Sequence, residues 1–191
     1  MTYTLNVKAF TESISDRALE QLCQENPDHR FEIDTNGKLI IMSPTGSESG
    51  KRNSSLLAQV WNWNNQSKLG VVFDSSTGFK LSNGATRSPD VSWIAINRWD
   101  ALSEQQKRGF APIDPDFAIE LLSPTDDLST TQSKMLEYLN CGVKLGWLIN
   151  PDEKQVEIYR LGQEKQAIKK TDNLSDEDIL PGLIVDLNDI F

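Results

Sequence analysis

Glu120 stands in the middle of Phe117-Ala118-Ile119-Glu120-Leu121-Leu122, a run that is otherwise apolar. Read as a strand, it sends Phe117, Ile119 and Leu121 to one face and Ala118, Glu120 and Leu122 to the other. An unpaired carboxylate in such a setting is costly, so it must be protonated, ion-paired or metal-bound. A structural salt bridge is one reading. Asp90, directly after Pro89 and at the head of the apolar segment 91–96, offers another. Two acids on neighbouring strands can converge on one point. Their hard oxygens suit Mg²⁺ or Mn²⁺, with water and a substrate phosphate completing the coordination. Taken alone, Asp90 also fits a turn.

The third residue is Lys134. On a helix following the Glu120 strand, Asp127, Thr131, Lys134 and Tyr138 fall on one stripe, and Lys134 and Tyr138 are neighbours one turn apart. Met135, Leu136 and Leu139 form a packing stripe beside it. A lysine on a helix flank is commonly a solvated charge. What draws attention to this one is the acid on the preceding strand.

These residues need elements to hold them. A first helix is expected over residues 12–26, with Ser15 or Asp16 as its cap and Leu19, Leu22 and Cys23 at helical spacing. Asn36-Gly37 between Phe31-Glu32-Ile33 and Leu39-Ile40-Ile41-Met42 signals a hairpin. Residues 52–66 suit a helix whose apolar stripe is Leu56, Leu57, Val60 and Trp61. Strands are expected over 71–73, 77–81, 90–96, 116–122, 143–149 and 156–159. Residues 98–109 read as a polar helical connection and 129–140 as a helix ended by Gly142. A turn at Pro181-Gly182 leads to the apolar segment 183–185. Strand, helix and strand across 116–149 make a β-α-β unit, so the class is α/β (α+β) with a mixed sheet flanked by helices.

Composition removes whole classes of mechanism. The one histidine, His29, lies in the polar stretch Asn26-Pro27-Asp28-His29-Arg30 and reads as a surface residue. A Ser-His-Asp triad needs a positioned imidazole, and most zinc sites need histidines or grouped cysteines. Cys23 and Cys141 have no partner at metal or redox spacing and read as small buried residues in a reducing compartment. Chemistry must then fall to carboxylates and lysines. The run Thr45-Gly46-Ser47-Glu48-Ser49-Gly50-Lys51-Arg52 lacks the first glycine and the closing Ser/Thr of a phosphate loop. It reads as a glycine-bearing loop before a helix.

The 191 residues suit one domain, and no apolar run reaches the length of a membrane span. Residues 1–10 lack the layout of a signal peptide, so a cytoplasmic location is expected. Net charge is −9, which argues against a nucleic-acid coat protein. The charge is uneven, however. Residues 38–108 carry nine bases against five acids, whereas 171–191 carry six acids and no base. Both a local basic face and an ordinary mixed surface fit that distribution.

An ordered series of pieces resembles the Uma-type family, commonly described as restriction endonucleases of the PD-(D/E)xK nuclease superfamily. The pieces are Phe31-Glu32-Ile33, Gly37 to Pro44, Ser88-Pro89-Asp90, Ala118 to Pro124, Lys134 with Tyr138, Gly142-Val143, Gly146 to Pro151, and Leu180-Pro181-Gly182. The resemblance covers about residues 28–190. It implies a restriction-endonuclease-like mixed sheet with an N-terminal helix and hairpin. It maps the metal-binding acids onto Asp90 and Glu120 and an early glutamate onto Glu32. The superfamily lysine, two residues after the second acid, is Leu122 here; the family moves that lysine to the following helix, at Lys134. A histidine that many members carry before the second helix is missing between Gly46 and Asn53.

The resemblance thus implies a Mg²⁺- or Mn²⁺-dependent endonuclease acting on nucleic acid, DNA in the first instance, and a homodimer. Arg87, Lys51, Arg52 and Tyr138 are candidate contacts to the substrate backbone, with Arg87, three residues before Asp90, the best placed. Two rival readings stand beside it. One is a catalytically degenerate nuclease fold used for binding, favoured by the net charge and by Leu122. The other is a carboxylate-dependent hydrolase of small phosphate esters.

Overall fold

The structure is a computed structural model that describes residues 2–6, 14–175 and 178–191. Its elements, in chain order, are β1 (Thr2–Asn6), α1 (Asp16–Glu25), β2 (Arg30–Ile33), β3 (Lys38–Met42), α2 (Ser47–Ser67), β4 (Gly70–Asp74), β5 (Phe79–Lys80), β6 (Thr86–Arg87) and β7 (Val91–Ala95). They continue with α3 (Ile96–Asp100), α4 (Glu104–Arg108), β8 (Phe117–Leu121), α5 (Leu128–Asn140), β9 (Leu145–Asn150), β10 (Gln155–Arg160), β11 (Gln166–Lys169), β12 (Asn173–Ser175) and β13 (Ile184–Asp186).

The apolar run around Glu120 builds a central strand. In the six-stranded sheet, ordered β11-β10-β9-β8-β7-β4, β8 pairs antiparallel with β7 and parallel with β9. The parallel pair comes from β8-α5-β9, so the sheet is mixed. The β8 faces divide as period-two alternation requires. Phe117, Ile119 and Leu121 pack with Leu56 and Val60 of α2 and with Leu183, Val185 and Leu187 of the C-terminal segment. Ala118 and Leu122 pack on the opposite face with Met135 and Tyr138 of α5. Glu120 lies on this α5 face.

Local chemistry sets the ends of α5. The Asp127 side chain caps it by accepting from Thr130 N at 2.8 Å. Gly142, at φ 96°, ends it: Gly142 N–H donates to Leu139 O and Val143 N–H to Tyr138 O, a Schellman closure. The hairpin at Asn36-Gly37 forms as expected, with Glu32 opposite Ile40 and Gly37 at φ 75°. A second sheet, ordered β1-β3-β2-β6-β5, grows from it. Ile33 pairs with Thr86 there, and this brings Glu32 alongside Arg87 and Ser88.

Several expectations need correction. Helix α2 starts at Ser47 with Gly46 as its N-cap, so Ser47 to Lys51 of the expected glycine-bearing loop are its first turn. In its expected stripe Leu56 and Val60 are buried, but Trp61 is 53% exposed. Leu136 likewise points outward at 53%, and Tyr138, with no exposure, takes its place against the sheet. Cys23 and Cys141 are free but half-buried. The connection over 98–109 is two short helices. Strands β1, β6, β11 and β12 were not anticipated. Residues 12 and 13 of the expected first helix lie outside the described residues; from Asp16 on it forms, capped by Ser15. Among the described residues, no helix is long and apolar enough to cross a membrane.

Candidate active site

Asp90 precedes β7, whose register with β8 runs Val91↔Ile119 and Ser92↔Ala118. One step further along that register sets Asp90 opposite Glu120 on the α5 face. Asp90, just ahead of β7 and not within it as expected, and Glu120, within β8, line the same cleft, of about 1180 Å³, together with Glu32 and Lys134. Asp90 is anchored by the neighbouring strand β8: Leu121 N–H donates to its Oδ2 at 2.9 Å. Its Oδ1 receives Asn53 Nδ2 from α2 at 3.2 Å and lies 3.9 Å from Arg30 Nη1.

Lys134 reaches in from α5. Its Nζ lies 2.9 Å from Glu120 Oε1 and 2.8 Å from Glu32 Oε1. The Tyr138 hydroxyl donates to the same Glu120 oxygen at 2.8 Å. Among the described residues no hydrogen bond engages Glu120 Oε2. Glu32, 2% exposed, is held further by Ser88 N–H at 2.9 Å and Arg87 Nη1 at 3.0 Å. The Arg87 guanidinium also pairs with Glu137 of α5, through Nε at 2.7 Å and through Nη2. One network thus ties β2, β6, β8 and α5 around the cleft.

The electrostatics are unbalanced toward negative charge. Burial pushes the Glu120 carboxyl up to about 7; Lys134 opposes the rise, while Asp90 and Glu32 add to it. Burial also raises Asp90, against the Leu121 amide, Lys134, Arg30 and Asn53. Glu32 goes the other way: burial disfavours its charge, but Lys134 and Arg87 outweigh that and hold it below the usual range. Burial works against the Lys134 ammonium too, yet Glu120 and Glu32 more than offset it and hold its pKa above the ordinary lysine value. Lys134 is therefore a fixed cation at neutral pH.

The expected site residues fall into two groups. Asp90, Glu120, Lys134 and Glu32 come together. The candidate backbone contacts do not join them as free donors. Arg87 is 8% exposed and committed to Glu32 and Glu137, and Tyr138 is buried with its hydroxyl on Glu120, so both brace the site from within. Lys51 and Arg52 sit near Glu48 of their own helix, and neither lines the cleft. Nor does the basic excess of the middle segment gather there: eight acids and four bases line the cleft. His29 is exposed, as its polar setting suggested.

Three contributors escaped the sequence reading. Arg30 is two residues before Glu32 and so shares its strand face, a signal that period two carries. Glu137 is one turn from Lys134, a signal that helical spacing carries. Asn53 had no such signal, because only the packing of α2 brings it to Asp90.

The donor set fits a divalent ion. Among the described residues no group of three His, Cys, Asp or Glu side chains is placed to hold a metal. Mg²⁺, however, is commonly bound through one or two carboxylates plus water and phosphate. The unengaged Glu120 Oε2 and the like-charge crowding of Asp90, Glu120 and Glu32 are what a cation would relieve.

The family model of Uma2, described as "Putative restriction endonuclease", matches residues 16–188. Among solved structures, one described as a "putative nuclease belonging to DUF820 from Anabaena variabilis ATCC 29413" has a TM-score of 0.69 at 23% identity. The match covers 84% of this chain and 89% of that one, and it shows a shared fold. No curated protein matches the chain.

Proposed function

Since the chain belongs to the Uma2 family, we propose that it is a metal-dependent endonuclease that hydrolyses the phosphodiester bonds of DNA. Family and fold are those of nucleases; the metal, the DNA substrate and the residue roles are our reading. The observation that carries it is Lys134 Nζ, 2.9 Å from Glu120 Oε1, at a cleft shared with Asp90.

Asp90 and Glu120 would hold Mg²⁺ or Mn²⁺. When bound, such an ion polarises a phosphoryl oxygen and lowers the pKa of an attacking water. Lys134, fixed as an ammonium, is a poor proton acceptor. Its part is to orient water or to stabilise negative charge that builds on the phosphate. It takes the place of the cation that Leu122, two residues after Glu120, cannot supply. Glu32 and Arg87 hold the lysine in register, and the Tyr138 hydroxyl fixes one oxygen of Glu120 so that the other faces outward.

The test is incubation with supercoiled plasmid and with single-stranded DNA in Mg²⁺, Mn²⁺ or EDTA. Nicking or linearisation with either ion, abolished by EDTA and by Asp90→Asn, is the expected result. A wild-type protein that cuts neither substrate with either ion, at any enzyme concentration up to stoichiometric, would remove the reading. A twofold homodimer, the commonest way to reach two strands, belongs to the same proposal. The exposed Trp61 supports it, and a monomeric mass by light scattering would count against it. Free Cys23 and Cys141 fit the reducing cytoplasm.

A further inference from the structure

Asn53 carries an amide oxygen that the fold leaves unanswered. Its Oδ1 is buried and, among the described residues, has no hydrogen-bond partner. Leaving such an acceptor unpaired is costly, and an unsatisfied group in a native fold calls for an explanation such as a bound water or ion. The orientation of the amide is not arbitrary. Nδ2 faces Asp90 Oδ1 at 3.2 Å, and an ionised carboxylate only accepts, so the NH₂ end must point at Asp90. The oxygen is then turned away from that contact, where it is buried and, among the described residues, unpaired. Asn53, Asp90 and Glu120 all line the same cleft.

We propose that Asn53 Oδ1 is a third oxygen ligand to the divalent ion held by Asp90 and Glu120, which makes α2 part of the metal site. The inference rests on the metal-dependent reading above. Its physical basis is the donor set: two carboxylates leave a hard cation short of protein oxygens, and a side-chain amide carbonyl is a fitting neutral donor. A neutral third ligand also suits this cleft better than a third acid would. Asp90, Glu120 and Glu32 already crowd there, and another negative charge would raise the cost of the metal-free fold. The Nδ2 end keeps Asp90 oriented while the Oδ1 end binds, so one side chain serves both jobs.

The test is Mn²⁺ titration of the full chain by calorimetry, with thermal denaturation in EDTA as a check on folding. Asn53→Leu keeps the volume and removes both amide functions. Asn53→Asp keeps an oxygen at the ligand position and removes the donor to Asp90. The expected result is an apparent Kd for Mn²⁺ at least about tenfold weaker in Asn53→Leu, the scale seen when groups supporting a metal site are lost. Asn53→Asp should bind at least as tightly as wild type. Wild-type affinity in Asn53→Leu would overturn the assignment. So would an Asn53→Asp variant that binds more weakly than wild type, because a residue that merely steadied Asp90 through its NH₂ group behaves that way. If Asn53→Leu fails to fold, the Asn53→Asp comparison decides alone. A wild-type chain that takes up no Mn²⁺ overturns this inference and the metal-dependent reading together. Mn²⁺ uptake that is indifferent to Asn53 overturns this inference only.

Discussion

Replacing Lys134 with methionine removes one ammonium and keeps the aliphatic stem, and the structure says what is lost. Two charge-assisted contacts disappear, to Glu32 at 2.8 Å and to Glu120 at 2.9 Å. Stranding a buried charge by removing its partner costs roughly 3–5 kcal/mol. Here two features lower that figure. Glu32 keeps Arg87 and the Ser88 amide. Glu120 already sits at about 7, so near neutral pH it can take a proton instead of remaining an unpaired anion. What remains is chiefly one charge-assisted bond, about 2 kcal/mol. For a chain of this size that lowers Tm by roughly 4–8 °C. The loss in cleavage should be far larger, on the order of 10²-fold or more, as for removal of a positioned electrostatic group. Thermal scans in EDTA at pH 7 and single-turnover plasmid cleavage with Mg²⁺ measure the two. Equal cleavage by Lys134→Met and an active wild type would refute the role of the lysine. Failure to fold at all would refute the idea that protonation of Glu120 limits the cost.

Glu120→Gln should abolish cleavage yet stabilise the metal-free protein above neutral pH. The folded carboxyl, raised to about 7 by burial, lies above its unfolded value, so ionisation destabilises the fold as pH rises from about 4.5 through 7. At pH 8 the penalty is on the order of 3 kcal/mol, and at pH 4 it is absent; denaturant melts in EDTA that show no pH-dependent gain would disprove it. Asp116 has the opposite sign. Burial raises its carboxyl, but Lys144, the Ala95 amide and Arg98 outweigh that and hold it low. Its contribution is therefore present above the unfolded pKa and lost as pH falls through the folded one. Asp116→Asn should cost about 2 kcal/mol at pH 7, the scale of losing charge-assisted bonds, with the deficit closing in acid; a deficit independent of pH would refute this. Gly70→Ala should destabilise strongly, because a Cβ there would lie 2.2 Å from the Ile94 carbonyl oxygen, and a melting temperature within error of wild type would show that β4 shifts freely.

Sequence determined the parts of this protein whose causes are local. Asn36-Gly37 sets a hairpin because a residue at positive φ is needed there, and Gly142 ends α5 for the same reason. Alternation in Phe117 to Leu122 predicts which side of β8 carries Glu120, because the strand period is two whatever packs on either face. Asp90, Glu120 and Lys134 were legible as candidates for one site because their types clash with their surroundings or recur at fixed spacing. Tertiary structure decided what those residues meet. No local rule says that Glu32, 88 positions before Glu120, ends within hydrogen-bond reach of the same ammonium; the pairing of β2 with β6 does that. Arg87 looked like a free phosphate contact until Glu137 and Glu32 were found on either side of it, and Tyr138 until its hydroxyl was found on Glu120. Asn53 reaches Asp90 only because α2 packs across the sheet through Leu56 and Val60. A side chain's type is written in one place along the chain. Its partner is chosen by long-range packing, and so are its charge state and its freedom to meet a substrate.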